Sequence, residues 1–273
     1  MFLDDSQIIQ VNDNNGRHYY HTDTPNMKYP SVSKLCEYYD HKGYERILAW
    51  KAKLVETLGA EEAEKQSHAG ANRGTRIHNA LETGDFSKLD KKEVVRFKNL
   101  QKLVNKINVL GLEKRVMWTD KNDPKVGFFG TLDCISTVDL STFLDSEDKP
   151  IGQGEAYTIF DWKNVTKFYD LDFYLKYYLQ AAAYATCVNK MTDCKYKINK
   201  CFIAFTTAKM LKVVYLEPRI IMYFSNAIKQ MAKAYAYQED YDYESFRSHT
   251  IGYLTEEGVI QDYLPKQVYL SKT

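Results

Sequence analysis

The run Tyr157-Thr158-Ile159-Phe160-Asp161-Trp162-Lys163-Asn164 constrains the fold of this chain more than any other segment. Its aromatic and β-branched residues suit a pleated, half-buried surface. On a strand, residues i and i+2 share a face, so Asp161 and Lys163 point one way and Trp162 the other. A carboxylate and an ammonium side by side at a strand end can hold a divalent metal and steady a negatively charged reacting group. Asp-x-Lys recurs at Asp40, Asp90, Asp123 and Asp193, and Glu147 begins the Glu version. Of these, only the Asp161 copy closes a strand-like apolar run; an exposed copy is an ordinary surface ion pair worth little.

Around this strand the chain alternates in a readable order. Gln7–Val11 and Arg17–His21 flank Asn12-Asp13-Asn14-Asn15-Gly16, which reads as a hairpin with an Asn-Gly turn. Tyr29-Pro30-Ser31 reads as an extended entry with a Ser cap, and a helix follows. Helical periodicity continues over 44–58, over 60–82 with breaks near Gly70 and Gly74, and over 91–109 up to Gly111. Strands are expected at 115–119, 127–135, 157–163, 196–206 and 211–216. Helices are expected at 169–189 and, opened by Pro218, to about Tyr237. The loop at 141–155 and the tail beyond 240 carry no expected element. The order β-β-β-α-β-β-α behind a helical first half implies one α+β domain over 1–273. Its parts are a hairpin and helical extension at 1–69, a core at 70–240 and a C-terminal tail at 241–273.

The bulk numbers exclude several classes. With 44% hydrophobic and 27% charged residues over 273 positions, the chain reads as soluble and globular. No stretch approaches membrane-spanning length. The start Met1-Phe2-Leu3-Asp4-Asp5 lacks a basic n-region with an apolar core. The expectation is an intracellular protein, cytoplasmic or in host cytoplasm if phage-encoded. Cysteines at 36, 134, 187, 194 and 201 fit no zinc or iron–sulfur spacing and read as reduced thiols. A net charge of +1 shows no global basic field, though a local groove can still bind nucleic acid. The 22 tyrosines could stack on bases, but compositional bias accounts for them equally well.

Further motifs flank Asp161 and Lys163. Asp133 is expected at the end of the preceding strand, with Gly127 and Gly130 relieving crowding there. Two carboxylates on neighbouring strands can chelate hard cations. Gln180 and Tyr184 lie at i and i+4 on one helix face, and the alanines between them permit close approach to the sheet. Upstream, Thr75 can cap a helix that carries His78 and Glu82 on one face. A neutral His can ligate a metal, and Arg73 and Arg76 can meet phosphates.

Gly-Thr-x-x-His-x-x-x-Glu, then a strand Asp, then strand Asp-x-Lys, then helical Gln-x-x-x-Tyr resembles the PD-(D/E)xK nucleases of the RecB-like branch, over roughly residues 70–206. Tyr29-Pro30-Ser31-Val32-Ser33, Leu48-Ala49-Trp50 and Arg73-Gly74-Thr75 also look like the mitochondrial genome maintenance exonuclease group and its phage-encoded relatives. The resemblance implies a restriction-endonuclease-like core, a central mixed sheet flanked by helices. It implies Mg2+ or Mn2+ held by His78, Asp133, Asp161 and the carbonyl of Trp162, with Lys163 catalytic and Gln180 and Tyr184 placing the Lys and the DNA. Arg73, Arg76 and Tyr184 would then contact nucleic acid, and Glu82 matches an acidic position of less defined role. No Pro precedes Asp133, as is common in this branch, and the cysteines of cluster-bearing relatives are missing, so no iron–sulfur cluster is expected. The implied activity is metal-dependent hydrolysis of single-stranded DNA from free ends, in replication, recombination or repair. A structure-specific flap or junction endonuclease fits the same core. So does a non-catalytic nucleic-acid-binding module, although a pure binder has no need of paired carboxylates that repel phosphate.

Overall fold

The run that ends at Lys163 forms most of strand β7 (Glu155–Asn164), in the middle of a mixed sheet. The computed structural model describes residues 4–13, 16–168, 171–255 and 266–270. Next to β7 lies β5 (Gly127–Asp139), and beyond it β4 (Asn108–Thr119). On the other side come β8 (Cys201–Thr206) and β9 (Leu211–Leu216), extended by β10 (Lys266–Leu270) and β6 (Phe143–Leu144). β7 and β8 pair parallel, while β4–β5, β5–β7 and β8–β9 are antiparallel. Parallel neighbours need a long crossover, and helix α5 (Leu171–Met191) lies within it.

Helices cover both faces of the sheet. α1 (Val32–Tyr39), α5 and α6 (Pro218–Tyr237) enclose one core with Leu35, Leu179, Ile203 and Phe224. α3 (Ala60–Thr83) and α4 (Lys91–Val104) cover the other with Ile77, Leu100, Phe160, Trp162 and Phe202. The period of two along β7 sends Ile159 to the first core and Phe160 and Trp162 to the second. Asp161 and Lys163 therefore face α5, and the Lys163 ammonium sits 5.3 Å from the ring centre of Tyr177. The α+β class agrees with expectation, and the β-β-β-α-β-β-α order recurs with one addition, the short β6 within the 141–155 stretch expected to be a loop.

Elsewhere the structure corrects the sequence reading. α3 runs unbroken through Gly70 and Gly74. A helical glycine costs only about 1 kcal/mol relative to Ala, which the surrounding helix formers and the packing of Ile77 offset. Thr75 is therefore no cap; its hydroxyl donates to the Ala71 carbonyl at 3.2 Å. α4 stops at Val104, and Asn108 already pairs with Thr137, so sheet pairing overrides the helical periodicity through Val109 and places Gly111 within β4. The tail holds α7 (Tyr243–Thr255) and β10. The N-terminal hairpin forms from β1 (Ile8–Asp13) and β2 (Gly16–His21), but Gly16 pairs with Asp13 inside the ladder instead of turning the chain. Asn14 and Asn15 lie outside the described residues.

β3 (Tyr29–Pro30) joins the hairpin, and this small sheet docks on the main one where Tyr19 and Tyr29 stack on Phe129. Ser31 caps α1 as expected, accepting from the Lys34 N–H at 3.0 Å. Between α1 and α3, helix α2 (His41–Leu58) contributes no buried residue. The cysteines are free thiols, buried except for Cys194. No helix among the described residues is long and apolar enough to cross a membrane.

Candidate metal centre and cleft

Asp133 sits in the middle of β5, not at its end. The β5–β7 ladder is described from Cys134↔Phe160 onward, and one step before it Asp133 faces Asp161. There the Trp162 N–H donates to Asp133 Oδ2 at 2.6 Å. β5 also changes allegiance at this point: Leu132 packs in the core beside α5, and Cys134 in the opposite one. In an extended strand a residue's N–H and C=O point toward the same neighbour. The Trp162 carbonyl therefore leaves β7 on the side of Asp133, while its ring is fixed in the core at 2% exposure.

α3 brings His78 to the same point. Its Nδ1 lies 3.7 Å from Asp133 Oδ1 and 3.2 Å from Glu113 Oε1. Glu113, on β4, is a residue that sequence reasoning missed. It sits between the pairs Leu112↔Cys134 and Lys114↔Leu132, directly across from Asp133. The signal was faint: one Glu in the gap between the helix expected to Val109 and the strand expected from Arg115. His78, Glu113 and Asp133 each offer a ligand atom, all within 4.8 Å of one another.

Asp161 is fully buried, with Lys163 Nζ at 2.7 Å from its Oδ2. Among the described residues no other donor reaches its carboxylate. Burial pushes the Asp161 carboxyl above its ordinary range, and Asp133 adds to this, while Lys163 pulls it back. Burial also works against the Lys163 ammonium, but Asp161 and Asp133 outweigh it and raise that group. For His78, burial is opposed by Asp133 and Glu113, with a net rise. The His78 and Lys163 rises share one cause, the surrounding carboxylates, whereas that of Asp161 comes first from burial. Such a nitrogen and oxygen donor set, with buried oxygens short of partners, fits a hard or borderline divalent cation.

Gln180 and Tyr184 meet as the spacing requires: Gln180 Nε2 donates to the Tyr184 hydroxyl at 2.7 Å. Gly130 makes room for this pair and not for Asp133. A Cβ at Gly130 would lie 2.5 Å from the Tyr184 ring, whereas one at Gly127 would meet Tyr29 and the Trp118 carbonyl. Burial holds the Tyr184 phenol well above its ordinary value, so it stays protonated.

These residues open onto a cleft of ≈ 410 Å³, near the low end of the range for small-ligand sites. Asp133, Glu113, Glu82 and His78 line it together with Tyr19, Ser31, Ser33 and Thr131. Arg76 is engaged elsewhere, its guanidinium forked onto the buried carboxylate of Glu93 on α4. Arg73 lies one turn earlier on α3, partly buried. Compared with protein-family models and with proteins of curated function, the chain matches none.

Proposed function

We propose that this chain is a metal-dependent deoxyribonuclease of the PD-(D/E)xK kind, acting on single-stranded DNA from free ends. The observation that carries the reading is the convergence of four separated motifs on one cleft and on the Asp161–Lys163 pair buried behind it. α3 contributes His78, β5 Asp133, β7 Asp161 and Lys163, and α5 the Gln180–Tyr184 pair. A structural α+β protein gains nothing from burying Asp161 with so few partners, because an undercompensated buried charge is costly.

On this reading His78, Asp133 and Asp161, with the Trp162 carbonyl, would hold Mg2+ or Mn2+. A cation so held supplies a Lewis acid for the scissile phosphate and lowers the pKa of a bound water. Lys163 keeps its proton in the resting site, so it serves as a donor that orients the water and offsets developing charge, not as the resting base. Tyr184, protonated and fixed by Gln180, presents a hydroxyl toward a backbone phosphate. The hydroxyls of Ser33 and Thr131 suit sugar–phosphate contacts, which position a strand without reading its sequence.

The test is digestion of end-labelled linear and circular single strands with Mg2+, with and without chelator. Loss of linear strand alone supports an exonuclease, and cutting of circles transfers the assignment to an endonuclease. Full activity in the Asp161→Ala, Lys163→Ala double variant would sink the catalytic assignment.

A further inference from the structure

We infer that Glu113 is a further protein ligand at this centre, completing a His78–Glu113–Asp133 face that favours Mn2+ over Mg2+. The inference rests on the metal-dependent reading above and adds to it a residue with no place in the sequence motifs. Three observations carry it. First, the carboxylates of Glu113 and Asp133 converge on the same nitrogen, His78 Nδ1, at 3.2 and 3.7 Å. The three ligand atoms lie within 4.8 Å of one another, close enough for one cation to take the position between them. Second, Glu113 has φ 48 in the middle of a strand. A non-glycine side chain is disfavoured in that left-handed region, and strain of this kind persists where the surroundings over-determine it, often at functional sites. Glycine would take this φ without strain, so the carboxylate is held here at a backbone cost. Third, the neighbouring Asp161 carboxylate is fully buried with Lys163 as its sole donor among the described residues, which independently marks the point as short of positive charge. Imidazole beside carboxylates suits transition-metal ions better than an all-oxygen set does, hence the preference for Mn2+.

The experiment is calorimetric titration of the metal-stripped full chain with Mn2+ and with Mg2+, without nucleic acid, alongside thermal unfolding with and without each ion. The variants are Glu113→Gln and Glu113→Gly. The wild type is expected to bind Mn2+ more tightly than Mg2+ and to gain Tm with Mn2+, since a ligand of the folded state alone stabilises it. Both variants are expected to bind Mn2+ at least about tenfold more weakly, the scale on which support to metal ligands acts. Glu113→Gly removes the backbone strain together with the carboxylate. It is therefore expected to match or exceed the wild-type Tm in chelator while losing most of the Mn2+-dependent rise. A Tm fall in chelator with Mn2+ affinity intact would make Glu113 a structural anchor for His78 and overturn the inference. Wild-type affinity in the two variants overturns it while leaving the nuclease reading in place. No Mn2+ or Mg2+ binding by the wild type overturns both. Equal wild-type affinity for the two ions removes the Mn2+ preference.

Discussion

Breaking the Asp161–Lys163 pair from either side separates its contribution to stability from the contribution to cleavage proposed for it. The ammonium and carboxylate are 2.7 Å apart, with side chains 15% and 0% exposed. Removing one partner of a buried pair costs about 3–5 kcal/mol, because the other charge remains buried and uncompensated. Asp161→Asn leaves Lys163 with Asp133 and Tyr177 nearby, so the low end, about 3 kcal/mol, is expected. At about 2–4 °C per kcal/mol for a chain of this size class, Tm falls by about 6–12 °C. Lys163→Met behaves differently because its stranded group can neutralise itself. Asp161 already has a folded pKa above its unfolded value. A group raised in this way favours the folded state below its unfolded pKa, and that contribution is lost as pH rises through the folded value. Without Lys163 the folded value climbs further, so the Tm deficit of Lys163→Met grows as pH rises out of the ordinary carboxylate range, while that of Asp161→Asn lacks this dependence. The Asp161→Asn, Lys163→Met double variant removes both charges and recovers most of the stability, with a coupling of about 2 kcal/mol or more. On the proposed function, all three variants are expected to lose cleavage. The assay is thermal unfolding in chelator at several values from about pH 5 to pH 8, with strand digestion in parallel. Deficits that simply add in the double variant would refute the coupling, and a pH-independent deficit in Lys163→Met would refute the placement of Asp161 as a buried, undercompensated acid.

Other substitutions test the supporting structure. Gly130→Ala forces the Tyr184 ring to move, costing about 1–3 kcal/mol as overpacking; cleavage is expected to drop while calorimetric Mn2+ binding persists. Tyr184→Phe leaves the Gln180 amide without its acceptor, at about 1 kcal/mol, and is expected to lower kcat with little change in Mn2+ affinity. Arg76 holds Glu93 below its ordinary range, chiefly by hydrogen bonding. A lowered acid contributes stability above its unfolded pKa and loses it as pH falls. Arg76→Ala should therefore destabilise the neutral protein by about 1–2 kcal/mol, less than a fully buried pair because Arg76 is 45% exposed, and should flatten the acid limb of Tm against pH.

The strands were legible wherever burial on both faces left a continuous β-branched and aromatic run, as in β7, β9 and the later half of the 196–206 stretch, where β8 starts only at Cys201. The capping Ser31 and the Pro218 helix start were legible because each uses one local residue type for one backbone purpose. Where the reading failed, a long-range partner decided the conformation. Asn108–Gly111 continues the periodicity of α4, yet Thr137 and Ile135 draw it into the sheet. β10 exists only because β9 and β6 offer it edges. The same distinction runs through the site. His78, Asp133, Asp161, Lys163, Gln180 and Tyr184 could be named because spacing and order bind them into a pattern. Glu113 could not, because its tie to Asp133 is a cross-strand register and its tie to His78 crosses from sheet to helix.

The charge inventory of the cleft links metal and nucleic acid in a way that separates a nuclease from a pure binder. Glu82, Glu113 and Asp133 line it with no Lys or Arg among its lining residues. Asp161 lies behind them, Lys163 is occupied by Asp161, and Arg76 is held by Glu93. Carboxylates at such separations repel a phosphate, by about 1 kcal/mol per pair at 4 Å in water and several times more in a lower-dielectric cleft. A strand can seat its phosphate here only once a cation has neutralised that field. Affinity itself, and not turnover alone, should then depend on the ion. The measurement is fluorescence anisotropy of a labelled single strand with Ca2+, which holds oxygen ligands, against chelator at matched ionic strength. At least about tenfold tighter binding with Ca2+ is expected, equivalent to about 1.4 kcal/mol. A module that only binds nucleic acid would grip through cationic side chains and would hold the strand equally well in chelator, and that result would move the assignment to it.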